Sequence, residues 1–412
     1  MKTISILGST GSIGRQTLSV VESLPEQLKI VALAAGNNLE ELFSQILRHH
    51  PEVVSVATPR LADELAQRVT AGLQTGPAPA IHHGHEGMLA VATHPSSDMV
   101  VSAAVGVVGL EATYQAVKLG RNVALSNKEV LVAAGELVMA AAAQSGRELL
   151  PVDSEHNAVH QCLRAGRRSS SGDEFPVSNY SPLYPEVRRL VLTASGGPFR
   201  KTPLGQLAHA SVEQALAHPN WRMGNRITID SATMMNKGFE IIEARWLFDM
   251  RPDQIEVIIH PQSVVHSFVE FVDGAVLAQL APPDMRMPIQ YALTYPARIE
   301  SQRVQLDWTK LRRFDFEKAS TRRFPCLRLA REALKRGGAL PCALNAADEV
   351  AVAAFLEHRL PFLGIPEVIE RVLARTPHGK FSSIDDVLAA DAEARRQAAE
   401  ETLHLSAQSA AV

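Results

Sequence analysis

Residues 2–14, KTISILGSTGSIG, constrain the fold more tightly than any other stretch of this chain. Lys2 to Leu7 alternates as a strand does, and Gly8, Gly11 and Gly14 then punctuate a turn that opens a helix running on through Gln16, Leu18 and Val21. Strand, glycine turn and helix in that order form a dinucleotide fingerprint with the glycines respaced. The turn is tight, the backbone can approach a ligand closely, and the helix N-terminus is aimed at a pyrophosphate. Thr10, Gly11, Ser12 and Ile13 are the candidate contacts. A tight turn with no ligand is the competing reading.

Strand and helix patterns go on alternating. Leu28–Ala35, Val53–Ala57, Met99–Ala104 and Asn122–Leu125 read as strands, with helices between them, which predicts an α/β unit with a parallel sheet covered on both faces. The second strand ends Ala35-Gly36-Asn37-Asn38, without the carboxylate that would hold the ribose hydroxyls of NAD and repel a 2′-phosphate. That leans the reading towards NADP, with Asn37 and Asn38 as neutral hydrogen-bonding groups. The insertion from Gly72 to Gly87 carries His82, His83 and His85, and its Pro/Gly-rich surroundings predict a solvated loop rather than a metal site. Ser126-Asn127-Lys128-Glu129 follows a strand end, where open α/β sheets place ligand contacts; a plain helix cap is the alternative.

Composition narrows the class. A 46% hydrophobic fraction with 21% charged residues over 412 residues describes a globular chain of several domains. A net charge of −3 argues against a nucleic-acid partner and gives no reason to expect a membrane one. The three cysteines, Cys162, Cys326 and Cys342, have neither metal-ligand nor disulfide spacing. With a start that runs directly into a strand pattern, these features predict a cytoplasmic protein.

The chemistry concentrates in DSATMMNKGFE, Asp230 to Glu240, and in Asp153-Ser154-Glu155. Ile227, Thr228 and Ile229 read as the end of a strand that turns at Asp230 and Ser231 into a helix. On that helix Asn236, Lys237 and Glu240 share a face, because residues three and four apart are neighbours. An amide, a cation and a carboxylate so placed can hold a phosphate beside a metal ion, and Asp153 and Glu155 could add two oxygen ligands from an extended segment. An ordinary helix with a solvated Lys/Glu pair is the alternative.

A Ser-rich connection follows at 165–185, then the strand Arg189–Thr193 and the turn Ser195-Gly-Gly-Pro, which can form an anion nest or be a plain turn. His218-Pro-Asn-Trp221 and Met223-Gly224 read as a lid over a flat ring or a loop anchored by its indole. Ile255–His260, Val264–Val272 and Ala275–Leu280 are predicted strands, the last two joined at Asp273-Gly274, with His260 and His266 structural. From Pro325 the pattern is helical, with Asn345-Ala-Ala-Asp348-Glu349 opening an apolar helix. The resulting division is 1–152 for an N-terminal Rossmann-like unit, 153–300 for a central α+β unit with a lid at 217–225, 301–324 for a linker and 325–412 for a C-terminal helical unit.

Taken together, GSTGSIG, SNKE, DSEHNA, SGGPF, HPNW, DSATMMNKGFE, HPQSVVH and LNAADE, in this order and across nearly the whole chain, resemble the 1-deoxy-D-xylulose 5-phosphate reductoisomerase family. The resemblance implies a homodimeric enzyme that rearranges 1-deoxy-D-xylulose 5-phosphate and reduces the product with NADPH to 2-C-methyl-D-erythritol 4-phosphate, the committed step of non-mevalonate isoprenoid biosynthesis. It implies Mg²⁺ or Mn²⁺ on Asp153, Glu155 and Glu240, which with Lys128 form the catalytic set. It places Ser195, Ser231, Asn236 and Lys237 on the substrate phosphate, Lys128 and Ser154 on its hydroxyls, and His218 to Met223 as the lid, Trp221 over the substrate. On the cofactor it places Thr10, Gly11, Ser12, Ile13, Gly36, Asn37, Asn38, Asn127, Glu129, Met223 and Gly224. Asn37 stands where the family often has a basic residue. The rival function on the same sheet is a non-catalytic NADP-binding sensor, which would not need the three carboxylates together.

Overall fold

The computed structural model describes residues 1–73, 75–165, 186–221, 223–301 and 305–410. Most of the Ser-rich connection (166–185), residues 302–304 of the linker, and Arg222 therefore lie outside the described residues.

Seven parallel strands form the first sheet: β1 (Lys2–Leu7), β2 (Leu28–Ala34), β3 (Val53–Val56), β4 (Ala80–His83), β5 (Met99–Ser102), β6 (Asn122–Leu125) and β7 (Leu149–Pro151). Their order is β4-β3-β2-β1-β5-β6-β7. The helices α1 (Ser12–Glu22), α2 (Leu39–His49), α3 (Pro59–Gly72), α4 (Gly84–Ala92), α5 (Leu110–Lys118), α6 (Glu129–Ser145) and α7 (Ser154–Ala165) connect or follow them. β1 is buried from Ile4 to Leu7, as a strand covered on both faces must be. Ile4 and Ile6 face one core while Leu7 faces the other, since successive side chains of a strand alternate.

The second sheet has the order β11-β10-β8-β9-β12, from β8 (Val187–Ala194), β9 (Ile255–Ile259), β10 (Val265–Phe271), β11 (Val276–Leu280) and β12 (Glu317–Lys318). The β8–β9 pair is parallel and the other pairs are antiparallel. Between β8 and β9 run α8 (Val212–Leu216), α9 (Asn225–Thr233) and α10 (Met235–Phe248), and after β11 comes α11 (Arg286–Thr294). The chain ends in α12 (Pro325–Arg336), α13 (Leu340–Leu356), α14 (Gly364–Arg375) and α15 (Ile384–Ala410). One core joins a face of the first sheet to α6, α10, the second sheet and the terminal helices. The other lies on the opposite face of the first sheet and includes Ile289, Ala292 and Leu293 of α11. α11 thus crosses from the central segment to pack with α1, and Lys2 Nζ donates to the Leu293 carbonyl at 2.8 Å. None of the helices described is long and apolar enough to cross a membrane.

Several expectations need correction. Ile227-Thr228-Ile229 is helical, lying within α9; the β preference of branched residues yields to packing, with Ile229 fully buried in the core. The histidine-bearing insertion is not simply a loop. Ala80–His83 pairs with β3 as an edge strand, His85 lies in the first turn of α4, and its ring meets Glu111 at 3.4 Å. Asn345 to Glu349 lie inside α13 rather than opening it. The predicted β10–β11 hairpin is present, with Gly274 at φ +87. His260 and His266 are buried against the carbonyls of Asp315 (2.9 Å) and Ala281 (3.2 Å).

Candidate active site

The carboxyl ends of two parallel strands and one break between helices assemble the site. β6 leads to Lys128 at the N-cap of α6, and β7 leads to Asp153, which caps α7. Asp153 Oδ1 accepts from the Glu155 amide at 3.3 Å and its carbonyl accepts from the Asn157 amide at 2.8 Å. Asp153 and Glu155 are therefore the cap and first turn of a helix, not neighbours on an extended segment. The amide of that first turn needs an acceptor, and Asp supplies one.

Between α9 and α10 the chain turns at Met234, held left-handed at φ 63, so α10 restarts with Asn236 and Lys237 in its first turn. Asp230 and Ser231 do not cap this helix; they lie near the end of α9. The predicted shared face is real: Asn236 Nδ2 donates to Glu240 Oε1 at 2.7 Å and Lys237 Nζ donates to Glu240 Oε2. Lys237 Nζ also donates to Glu155 Oε1 at 2.7 Å, and Ser154 Oγ donates to Glu155 Oε2. Lys128 Nζ donates to Asp153 Oδ2, to Asn236 Oδ1 at 2.9 Å and to Glu240 Oε1 at 3.5 Å. Lys128, Asp153, Ser154, Glu155, Asn236, Lys237 and Glu240 thus form one network.

Sequence reasoning missed two members. His156 Nδ1 lies 3.2 Å from Glu243 Oε2 and 3.5 Å from Asp153 Oδ1, while its Nε2 meets the Glu240 carbonyl at 2.8 Å. Glu243 follows Glu240 by three residues on α10, so helical spacing carried a signal for it. Burial opposes charge throughout this cluster. It raises Glu240 to about 7 with the help of Asp153 and Glu155, and raises Glu243 to about 7, in both cases against neighbouring cations. Burial also works against His156, but Glu243 and Asp153 outweigh it and bring the ring to about 9. For Lys128 and Lys237 the surrounding carboxylates overcome burial and hold both ammonium groups above the ordinary lysine range.

The donor set fits a hard divalent cation. Ligand atoms of Asp153, His156 and Glu240 lie within 4.8 Å of one another. With His156 brought to about 9, the carboxylates are what offer oxygens to a cation, and the crowding that disfavours charge on Glu240 is what a cation relieves. Glu155 faces the same cluster, with Lys237 on Oε1 and Ser154 on Oε2, and each oxygen keeps a lone pair for an ion.

Beside the cluster, the turn after β8 sits against the end of α9. Gly197, at φ +64, approaches so closely that a Cβ there would lie 2.5 Å from the Ser231 carbonyl. Ser195 Oγ bonds His218 Nε2 at 2.9 Å, and His218 Nδ1 accepts from the Trp221 amide at 2.9 Å. Burial lowers the pKa of this ring. Ser195, His218, Trp221 and Ser231 are therefore brought to one rim, with Trp221 and Met223 partly exposed.

The glycine turn follows β1 of the first sheet. The strand order reverses between β1 and β5, which is where open α/β sheets leave a ligand crevice. Thr10 to Ile13 follow β1, and Gly36, Asn37 and Asn38 are exposed after β2. Gly11 caps α1 without a side-chain acceptor, leaving first-turn amides to a ligand. Asn38, in contrast, is committed: its Oδ1 accepts from the Glu41 amide at 3.1 Å as the cap of α2. Asn127 donates to the Gly106 carbonyl at 2.8 Å, while its buried Oδ1 has no partner among the described residues. Glu129 opens α6 and is bound by Arg226, another residue the sequence did not single out.

Comparison with known proteins agrees along the chain. The family model described as 1-deoxy-D-xylulose 5-phosphate reductoisomerase matches residues 4–135, its C-terminal domain matches 149–248, and the DXP reductoisomerase C-terminal domain matches 280–397. A 1-deoxy-D-xylulose 5-phosphate reductoisomerase of Solibacter usitatus (strain Ellin6076) is 50% identical over 401 residues, 97% of each chain. The solved structure of the Zymomonas mobilis enzyme in complex with NADPH is 42% identical with a TM-score of 0.87, covering 97% of this chain and 99% of that one. A DOX-P reductoisomerase in complex with NADPH, fosmidomycin and magnesium is 39% identical with a TM-score of 0.90, covering 98% of each. The chain belongs to the 1-deoxy-D-xylulose 5-phosphate reductoisomerase family.

Proposed function

We propose that the buried Lys128–Asp153–Glu155–Asn236–Lys237–Glu240 network is the catalytic centre of this reductoisomerase, the assignment resting on the convergence of two lysines and three carboxylates at the strand ends. As a member of the family the chain converts 1-deoxy-D-xylulose 5-phosphate to 2-C-methyl-D-erythritol 4-phosphate, using NADPH and magnesium. Asp153, Glu155 and Glu240 would hold the metal, which supplies Lewis-acid stabilisation of charge on the substrate oxygens when bound. Manganese is a chemically reasonable substitute at an all-oxygen set.

Lys128 and Ser154 bind and orient the substrate hydroxyls, Lys128 with its ammonium kept charged by Asp153 and Glu240. Ser195, His218, Ser231, Asn236 and Lys237 receive the phosphate, which is remote from the reacting carbons and contributes binding energy that draws the 217–225 loop closed. Trp221 in that loop excludes water above the substrate, and Met223 and Gly224 bring the loop against the nicotinamide. Thr10, Gly11, Ser12 and Ile13 cradle the pyrophosphate. Gly36, Asn37 and Asn38 line the adenosine end, where Asn38 contributes backbone because its side chain is spent on capping. Asn127 offers its free oxygen and Glu129 its carboxylate at the nicotinamide end.

The same reading keeps the division at 1–152, 153–300, 301–324 and 325–412, with residues 286–294 reaching back to the first sheet. It includes a homodimer: edge strand β11 exposes Val276 and Leu277, an apolar edge suited to a second copy. A cytoplasmic location fits three unpaired, buried cysteines. A non-catalytic NADP-binding sensor is disfavoured, since it has no use for a buried lysine–carboxylate network.

The test is loss of reduced-nicotinamide absorbance with 1-deoxy-D-xylulose 5-phosphate, with Mg²⁺, Mn²⁺ or neither, and with NADPH or NADH. Metal-dependent oxidation of NADPH is expected. Folded protein that binds NADPH yet turns over with neither metal would overturn the catalytic assignment.

A further inference from the structure

Arg226 lies in the first turn of α9, directly after the loop that ends at Gly224. Its Nη1 donates to Glu129 Oε1 at 3.0 Å, at the start of α6, and to Glu349 Oε1 at 2.9 Å in α13; its Nη2 donates to Asn345 Oδ1 at 3.0 Å, also in α13. Glu349 is itself fixed, since Arg395 of α15 donates to its Oε2 at 2.6 Å. The same carboxylate presses on the turn after β5: a Cβ on Gly106 would lie 2.9 Å from Glu349 Oε1. Gly106 in turn takes the amide of Asn127. The loop base is tied in as well, by Thr228 Oγ1 donating to the Gly224 carbonyl at 2.8 Å. A guanidinium is a rigid planar fork, so three acceptors bound to it are fixed relative to one another in a way a flexible ammonium does not achieve.

We propose that Arg226 is a positioning residue that locks Glu129, the base of the 217–225 loop and the Gly106 turn to helix α13, so that the C-terminal helical unit sets the geometry of the nicotinamide side of the cleft. This rests on the placement of Glu129 and Asn127 at the cofactor. Among the described residues its polar partners are Glu129, Asp230, Asn345, Asp348 and Glu349 and not Asp153, Glu155 or Glu240, so it acts through Glu129.

Arg226→Met keeps an extended side chain and removes the fork. Steady-state kinetics should then show KM for NADPH raised about tenfold, with kcat and KM for 1-deoxy-D-xylulose 5-phosphate changed by less than about twofold. A purely structural arginine gives the opposite split, a lower kcat per chain from a smaller folded fraction with both KM values in place, and that result overturns the proposal. If Arg226→Met does not accumulate as folded protein, Glu349→Gln decides: it removes charge from the α13 acceptor alone and should raise KM for NADPH about threefold. An unchanged KM in that variant also overturns it. Wild-type protein is the control, because failure of wild-type turnover counts against the catalytic assignment, whereas active wild type with unmoved variants counts against Arg226 alone.

Discussion

Asp153, Glu155, Glu240 and Glu243 lie buried or half-buried with Lys128, Lys237 and His156, while Glu129, Asp230, Asp348 and Glu349 lie around Arg226, with Arg395 behind. Both clusters hold more acids than cations, and the two relieve the excess differently. Behind Arg226 one pair is closed off: the Asp348 side chain is 0% exposed and that of Asp230 is 6% exposed. Burial raises Asp230 to about 6 and Asp348 well above its ordinary range, and each interacts with the other across the contact. Two carboxylates cannot donate to one another, so a proton is what reconciles them. Around Lys128 and Lys237 the cluster reaches the cleft through Glu155, 18% exposed, and Asp153, 11% exposed. There a cation from solution can take the place of the proton. An excess of buried carboxylate is thus structural where it is sealed, as at Asp230 and Asp348, and ligand-seeking where it opens, as at Asp153 and Glu155.

The largest effect expected on this contrast comes from Glu240→Gln. Loss of a carboxylate at the open cluster should lower metal-dependent turnover at least about 100-fold, beyond what loss of an outer partner of a metal typically costs, and leave NADPH affinity intact. Melting curves with and without Mg²⁺ make a second readout: the ion should raise the melting temperature of wild type, by linkage, and not that of the variant. Equal loss of NADPH affinity would mean that Glu240 supports the whole cleft rather than the metal.

Lys237→Ala removes one cation from the open cluster and should raise the KM of the phosphorylated substrate about 10- to 100-fold, the worth of a hydrogen bond to a charged group. An unchanged KM would take Lys237 away from the phosphate and leave it only as a partner of Glu155 and Glu240.

Asp348→Asn tests the sealed cluster and should have the smallest effect. An acid whose folded pKa is raised keeps its proton in the folded chain where the unfolded chain has lost it, so its contribution to stability falls as pH rises from the ordinary value of 3.8 upward. Asparagine does not ionise. The melting temperature of the variant should therefore gain on wild type by about 2 °C as pH is raised through that range, with turnover kept. A variant that loses ground as pH rises would show that Asp348 is ionised and paired, and the contrast between the clusters would fail.

Much of this was legible without coordinates. Asn236, Lys237 and Glu240 share a face because the helical repeat places them there, and the glycine turn after Leu7 was readable because strand, turn and helix each have local periods. Periodicity failed at Ile227–Ile229, a run too short to separate a strand from a buried helix, and at Ala80–His83, whose turn-rich surroundings hid an edge strand that exists only because β3 is there to pair with. His156 and Glu243 were within reach of spacing arguments but had no partner until α7 and α10 were brought together.

By itself, then, the sequence determined most of the alternating strands and helices of the first sheet, the family and the residue types that carry the chemistry, since periods and motifs are written locally in the chain. Tertiary structure alone decided which acids meet which cations, that α11 completes the core of the first sheet, and that Arg226 joins residues 97 and 123 positions away. Such contacts are set by how apolar faces pack around two shared cores, and no local period encodes them.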